Sequence, residues 1–227
     1  MVCDEMMKKR LFDKYAFIFV LFMVGSLIGF VYENLLTLIQ GHYELRQGLI
    51  YEPLIPIYGL GVLLFYLLYN SVHLEKHHTI VKIMIVFLIG FVMGGLTEYI
   101  CSYIQEKVFG TISWDYSYLK YDINGRTSLW HCFVWGMMGA LFYIFVLPLL
   151  EKTKQYLKYK WVNIIVIICS IILFCDCIIS WIACHRQTQR REGIEATNFI
   201  DKLLDQYYPD EYLNRIFNNA KPTELEK

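Results

Sequence analysis

The polar stretch from Trp114 to Leu129 carries more reactive side chains than a simple connection between two helices needs. It contains Trp114-Asp115-Tyr116-Ser117 and then Asn124-Gly125-Arg126, between two strongly apolar segments. A guanidinium binds phosphate or carboxylate groups through paired hydrogen bonds, and a carboxylate binds cations or protons. The stretch therefore predicts a polar binding site, but its residue types do not identify the ligand.

Other ionisable side chains lie within the apolar segments themselves. Glu33, Glu98 and Asp176 are each surrounded by apolar residues, and His131 follows the start of a further apolar segment. An ionisable group at membrane depth is costly, so it usually faces a partner, a cavity or a substrate pathway. These four side chains are therefore candidates for the same site as the polar stretch.

Apolar blocks of membrane-spanning length position these residues. The chain has 227 residues, of which 56% are hydrophobic, and a membrane helix needs about 20 apolar residues. The pattern predicts an all-α, polytopic bundle of five membrane helices, at about 14–39, 56–72, 81–107, 127–150 and 161–183. A polar segment, 1–13, precedes the membrane domain 14–183. A tail, 184–227, follows it, and Ile200, Leu203, Leu204 and Tyr207 predict an amphipathic helix there.

Small residues at helical spacing predict where the helices approach one another. Gly25, Gly29 and Glu33 recur every four residues and so share one face of the first helix. Gly90 and Gly94 follow the same spacing in the third helix. Small residues allow two membrane helices to pack closely. We expect both glycine faces to lie at helix contacts.

The distribution of lysine and arginine predicts the orientation in the membrane. Basic residues accumulate in the cytoplasmic segments of membrane proteins. Lys9, Lys14, Lys76 and the four lysines of 152–160 place the N-terminus and two connections in the cytoplasm. The connections that contain Arg46 and Asp115 are then on the outer side. Arg186, Arg190 and Arg191 favour the opposite side for the tail, so the sequence leaves the side of the tail open.

This orientation places the ionisable side chains of the helices toward the outer end, at a rise of about 1.5 Å per residue. Arg46, Asp115 and Arg126 lie at the same level. Because isolated charges are expensive in a low dielectric, we expect these three residues and Glu98 to form one connected network. Two interpretations remain open. The network is either a set of ion pairs that holds the loops, or the wall of a cavity that binds an anion, a cation or a proton.

Several classes of function are disfavoured by the sequence. The formal net charge is +0, which gives no field for nucleic acid. The seven cysteines show no CxxC spacing, and His73, His77 and His78 are unevenly spaced, so we expect no metal. We also expect no cofactor. The chain has neither a GxxxxGK[ST] loop nor an HExxH string, so it is not itself an ATPase or a zinc protease.

Two strings carry a resemblance to a known family. The first is Arg46-Gln47-Gly48-Leu49-Ile50-Tyr51 followed by Pro53 and Pro56-Ile57-Tyr58-Gly59; the second is Trp114-Asp115-Tyr116-Ser117 with Asn124-Gly125-Arg126 and Trp135-Gly136. With the acids Glu33, Glu98 and Asp176, these strings resemble the ABC-transporter type IV, or CmpB-like, family of bacterial membrane proteins, over about residues 15–185. Glu52 departs from the family pattern, in which we expect glycine. The resemblance implies a multi-pass protein of the bacterial plasma membrane, called a permease.

The charge pattern and the resemblance together give the candidate site. Its members, as substrate or ion ligands, are Glu33, Arg46, Tyr58, Glu98, Trp114, Asp115, Tyr116, Ser117, Asn124, Arg126, His131 and Asp176.

Three functions remain open at this point. The chain is a transporter subunit with a separate ATPase, a membrane enzyme that acts on lipid or cell-wall precursors, or a structural accessory protein. In the enzyme, Arg46 and Arg126 would hold phosphate and His131 would act as a base. The partners we consider are the lipid bilayer, an ATPase subunit and a second copy of the chain, but not nucleic acid.

Overall fold

The computed structural model describes residues 2–41, 44–71 and 78–223, most of which are α-helical. The helices are α1 (Val2–Ile39), α2 (Pro56–Ser71), α3 (Thr79–Phe109), α4 (Leu129–Leu141), α5 (Leu147–Thr153), α6 (Lys160–Arg191), α7 (Phe199–Tyr207) and α8 (Asp210–Ile216). The described residues also form four short strands: β1 (Thr111–Ile112), β2 (Asp122–Ile123), β3 (Thr127–Ser128) and β4 (Lys221–Pro222). The predicted all-α class is confirmed.

Four of the helical segments are long and apolar enough to cross a membrane. They are Lys9–Ile39, Thr79–Phe109, Leu129–Tyr156 and Lys160–Arg191, and the shorter apolar α2 lies between the first two. The predicted polytopic bundle is therefore confirmed, with α2 as its short member. Lys76, His73 and His77, which entered the topology and metal arguments, lie outside the described residues.

Two helices extend far beyond their predicted bounds. The segment 2–13 is part of α1, and α6 continues eight residues beyond Ala183, to Arg191. Residues 2–13 and 184–191 are largely polar, so they lie outside the apolar segments. A helix can nevertheless continue beyond the end of its apolar segment. Hydropathy alone therefore underestimated the lengths of both helices.

Pro148 widens the fourth membrane segment. A π-helical turn, Phe142–Val146, joins α4 to α5, and Leu147 donates its N–H to the carbonyl of Phe142. Proline has no N–H, and its ring crowds the preceding turn. The helix accommodates both constraints by adding a residue to that turn, so it continues to Thr153.

Glycines bring the helices together, as their spacing predicted. A Cβ at Gly29 of α1 would lie 2.2 Å from the ring of Tyr58 in α2. A Cβ at Gly94 of α3 would lie 2.4 Å from Cβ of Trp135 in α4. Since both distances are shorter than van der Waals contact, larger residues would displace Tyr58 and Trp135. Both aromatic rings border the cavities described below, so these glycines also shape the site.

Helix α6 packs differently from the other membrane helices. Only 6% of its most apolar stretch is buried, compared with 39% for the segment that contains α4. Toward one end, Tyr15 donates to Ser170 at 2.6 Å. Near the other end, α6 contacts the connections and the tail. Leu60 of α2, Ile104 of α3 and Trp181 of α6 are all exposed, so α6 covers this flank of the α2–α3 pair only in part.

The tail folds against the end of the bundle that carries the 44–55 and 110–126 segments. Leu213 is completely buried, in a cluster with Phe109 and Cys184. The ring of Tyr51 packs against that of Tyr208, with ring centroids 6.0 Å apart. Strand β4 also pairs with β1. Two connections and the tail thus form one layer at this end.

Of the apolar stripe predicted for the tail helix, only Leu204 faces this cluster. Leu204 is 8% exposed, whereas Ile200, Leu203 and Tyr207 remain at least partly exposed. Among the described residues, three ion pairs hold the tail against α6: Arg186 binds Asp205 through two hydrogen bonds of 2.9 Å, and Arg190 binds both Asp205 and Asp210.

Candidate functional site: a polar cavity at the loop-bearing end

A cavity of about 370 Å³ extends from the interior of the bundle to this layer of connections. Its inner wall includes Glu98 and Trp135, which are 6% and 5% exposed. Its mouth includes Asp115 and Tyr118, both exposed. The lining contains eight predicted site residues, namely Glu33, Arg46, Tyr58, Glu98, Trp114, Asp115, Tyr116 and His131.

Glu33 joins the Arg46 connection to the first helix pair. One carboxylate oxygen accepts from Nη1 of Arg46 at 3.3 Å, and the other accepts from the hydroxyl of Tyr58 at 2.5 Å. Asn34 fixes the Arg46 backbone through two hydrogen bonds, one to the carbonyl at 2.8 Å and one from the N–H at 3.0 Å. Asn34 carries no charge and was not predicted as a site residue; its position beside Glu33 was the available clue.

Glu98 has hydroxyl partners instead of a basic one. It accepts from Tyr116 at 3.0 Å and from Thr127 at 2.7 Å. Burial, together with the negative charge of Glu98, raises the pKa of Tyr116 well above its usual range, so the phenol stays protonated and continues to donate. Glu98 is thus a buried carboxylate that forms no ion pair among the described residues.

A tight hairpin places Thr127 beside Glu98. Strands β2 and β3 pair with Ile123 opposite Thr127, and Arg126 donates its N–H to the carbonyl of Ile123 at 3.0 Å. Asn124 and Gly125 have φ angles of 53° and 67°, as expected for an Asn-Gly turn between two strands. The hairpin was not predicted from the sequence, although an Asn-Gly pair is the usual signal for such a turn.

Gly125 is also required for space. A Cβ on this residue would lie 2.4 Å from a carboxylate oxygen of Asp115. Asp115 accepts from the N–H and the hydroxyl of Ser117, at 2.9 and 2.8 Å. The hairpin turn therefore packs directly on the Asp115 turn, and both hold Tyr116 over the cavity.

Arg126 lies outside the cavity. Its guanidinium binds Glu106 and, at 3.2 Å, the hydroxyl of Ser102, and it packs over the rings of Tyr99 and Tyr103. The expected single network of Arg46, Asp115, Arg126 and Glu98 does not form. Two separate ion pairs, Arg46–Glu33 and Arg126–Glu106, take its place, because each arginine reaches a nearer acid than Glu98. The two arginines therefore do not form a shared phosphate clamp.

Asp176 also lies apart from the cavity lining. Its carboxylate accepts from the N–H of Tyr51 at 2.8 Å, from the N–H of Glu52 at 3.3 Å and from the hydroxyl of Ser180 at 2.7 Å. It anchors the Arg46 connection to α6, and the backbone at Glu52 approaches α6 closely despite its side chain. Ser117 and Asn124 likewise make local contacts, with Asp115 and with Tyr99.

His131 contributes a ring to the cavity wall. The ring stacks on Tyr116 with centroids 3.6 Å apart, and Nδ1 lies 2.9 Å from Oγ of Ser128. Ser128 is completely buried and caps α4 by accepting the N–H of His131. A buried capping hydroxyl is poorly placed as a nucleophile, so this pair positions the ring.

A second cavity of about 310 Å³ adjoins the first. The two share Glu33, Arg46, Tyr58, Glu98, Trp114, Tyr116 and Trp135 in their linings. The second cavity continues between apolar residues such as Ile57, Leu60, Ile104 and Trp181. We call the first cavity the polar chamber and the second the apolar chamber. The apolar chamber could not be predicted from the sequence, because the residues that extend it are ordinary apolar helix residues.

The described residues were also compared with the requirements of a metal site. Within residues 2–41, 44–71 and 78–223, no three His, Cys, Asp or Glu side chains form a group that could hold a metal ion.

The apolar helices have the length and composition of a membrane-protein bundle, and the polar chamber lies within it. Comparison with protein families gives the class more closely: the chain belongs to the family described as Putative ABC-transporter type IV, whose model matches residues 20–181. The match includes every predicted site residue. Comparison with curated proteins and with solved structures gave no match. The chain is therefore a transporter-related membrane protein.

Proposed function

We propose that this chain is the membrane subunit of a transporter and that the polar chamber holds the transported molecule. The observation that carries the proposal is the buried carboxylate of Glu98, which has no basic partner among the described residues and lines a cavity of about 370 Å³. An unpaired ionisable group at this depth is costly in a purely structural role. A substrate or a proton would offset that cost.

The orientation follows from the positions of the lysines. Lys152, Lys154 and Lys158 lie at the end of the bundle opposite the chamber mouth, which favours a cytoplasmic location for that end. Arg186 and Arg190 are paired with Asp205 and Asp210 within the folded tail, so their charges do not oppose this orientation strongly. The chamber then opens on the outer face of a bacterial plasma membrane, with the N-terminus in the cytoplasm. A separate ATPase subunit would supply energy.

The test is a comparison of small molecules inside and outside cells. Cells that lack the chain, cells with the chain restored and cells that carry Glu98→Gln would be compared by mass spectrometry. We expect the same compounds to change in the deletion and in Glu98→Gln, at equal amounts of protein in the membrane. Glu151→Gln, at the opposite end of the bundle, is the matched control. Full restoration by Glu98→Gln would exclude the chamber as the transport site.

A further inference from the structure

The polar chamber has more acids than bases. Glu33, Glu98 and Asp115 line it together with two basic side chains, the guanidinium of Arg46 and the imidazole of His131. Arg46 is already paired with Glu33. Glu98 and Asp115 accept hydrogen bonds only from hydroxyl and N–H groups in the described structure. A carboxylate has about four acceptor positions, so both acids retain capacity toward a cation.

The remaining lining favours an organic cation over a metal ion. Five aromatic residues line the chamber with these carboxylates, namely Tyr32, Tyr58, Trp114, Tyr118 and Trp135. Aromatic faces attract ammonium groups, and cages of such rings recognise quaternary ammonium ligands. A metal ion would require several oxygen, nitrogen or sulfur ligands at one point, and the described residues offer no such group.

The apolar chamber extends this site sideways. It begins at the wall that Tyr58 and Glu98 share with the polar chamber. It ends near Leu60, Ile104 and Trp181, whose side chains are 41%, 51% and 50% exposed on the flank of the bundle. Because α6 covers this flank only in part, the chamber faces the hydrocarbon of the bilayer. A chain bound there would exchange one apolar environment for another.

We propose that the two chambers together bind one ammonium-bearing amphiphile. Its cationic head lies among Glu98, Asp115 and the aromatic rings, and its apolar chain lies between α2, α3 and α6. This inference rests on the proposed function and specifies its substrate class. The amphiphile enters from the bilayer through the opening beside α6, while its head reaches the chamber mouth at the connections.

The experiment measures binding of isotope-labelled probes to the full chain in maltoside micelles, with protein-free micelles subtracted. The probes are octyltrimethylammonium, tetramethylammonium and octyl sulfate. We expect saturable binding of one octyltrimethylammonium per chain, at least tenfold tighter than tetramethylammonium. We expect no saturable binding of octyl sulfate, because its anionic head would meet the excess carboxylates.

Variants separate the contribution of the head from that of the chain. Glu98→Gln should weaken octyltrimethylammonium binding at least tenfold, and Glu151→Gln should change it less than twofold. Ile104→Trp should fill the apolar chamber and reduce the advantage of the octyl chain below threefold, with tetramethylammonium binding kept. Val92→Trp, on the lipid-facing side of α3, is its control. Should Glu98→Gln fail to fold, Asp115→Asn in the exposed turn is the second test of the head site.

Equal binding of octyl sulfate, or unchanged affinity in both acid variants, would overturn the inference. Its failure is distinct from failure of the proposed function. If Glu98→Gln cells show the same change in compounds as the deletion but no ammonium probe binds, the substrate class is wrong and the transport site stands. If the probes bind as expected but Glu98→Gln cells behave like wild type, the binding site stands and the transport role falls.

Discussion

The hydroxyl of Tyr116 donates a hydrogen bond of 3.0 Å to the buried carboxylate of Glu98, which joins the connection after α3 to α3 itself. The contact spans eighteen residues of sequence and brings an aromatic ring, stacked on His131, over a carboxylate in the polar chamber. The connection therefore forms a wall of the chamber. It also supplies the hydroxyl donor that offsets part of the cost of burying Glu98.

Removal of that donor should destabilise the chain. Tyr116→Phe leaves one oxygen of a buried carboxylate without its partner, which costs about 1–3 kcal/mol. The free energy of unfolding in mixed micelles measures this cost. Tyr118→Phe makes the same change two residues away on a side chain that is 77% exposed, and it should be nearly neutral. Equal effects of the two substitutions would argue against the Tyr116–Glu98 bond.

The two ion pairs should be energetically separate. In double-mutant cycles, Arg126→Gln and Glu106→Gln should be coupled by about 0.5–3 kcal/mol, because each leaves the other charge unpaired. Arg126→Gln and Glu98→Gln should add to within about 0.5 kcal/mol, since the two side chains share no partner. Strong coupling of Arg126 to Glu98 would restore the single network that the sequence suggested.

The single network expected from the sequence does not form, and the reason separates what a sequence predicts from what it does not. Periodicity and hydropathy predicted the membrane helices and the glycine contacts, because both depend on residues close in sequence. The position of each charged residue along the helix axis predicted that Glu33, Arg46, Glu98 and Asp115 would share one end of the bundle. The partner of each charge depends on helix rotation and on the hairpin, and spacing alone does not determine either.

The tail should detach in acid. Hydrogen bonding to Arg186 lowers the pKa of Asp205 to about 2, from an ordinary value of 3.8. A depressed pKa in the folded state contributes stability above the ordinary pKa, and that stability is lost as pH falls through the folded pKa. Docking should therefore be complete at pH 5 and weaken between about pH 4 and pH 2.

Spin labels at Lys120 and Lys202, both exposed, would report tail docking through the distance between them. The distance distribution should broaden across that pH window, and Asp205→Asn should broaden it at neutral pH. Asp201→Asn, which removes a carboxylate from the same helix, should leave it narrow. An identical distribution at pH 2 and pH 7 would show that the ion pairs of Asp205 do not hold the tail.

Two exposed lysines provide a matched test of orientation. Lys120 lies in the connection at the chamber mouth and Lys158 lies at the opposite end of the bundle. After replacement of the native cysteines, Lys120→Cys should react with an impermeant thiol reagent in intact cells. Lys158→Cys should react only after the membrane is opened. The reverse pattern would place the chamber mouth in the cytoplasm.

Asp176 should act through the Arg46 connection rather than as a ligand. Its carboxylate binds the N–H groups of Tyr51 and Glu52, and hydrogen bonds to a charged group contribute about 1.5–3 kcal/mol each. Asp176→Asn removes the charge and replaces one acceptor by a donor that cannot bond an N–H. We therefore expect a loss of about 2–4 kcal/mol in unfolding free energy, from one strong and one weaker bond. Ser180→Ala, which removes only the hydroxyl partner of Asp176, should cost about 1 kcal/mol.

Hydrogen exchange in the 44–55 segment distinguishes an anchoring role of Asp176 from direct ligand binding. Loss of the anchor should loosen the 44–55 segment, and amide hydrogen exchange there should rise while exchange in α3 stays unchanged. Since Asn34 still fixes the Arg46 backbone from α1, the increase should be larger at Tyr51 than at Arg46. A chain that keeps its stability and slow exchange in Asp176→Asn would show that the carboxylate does not anchor the connection.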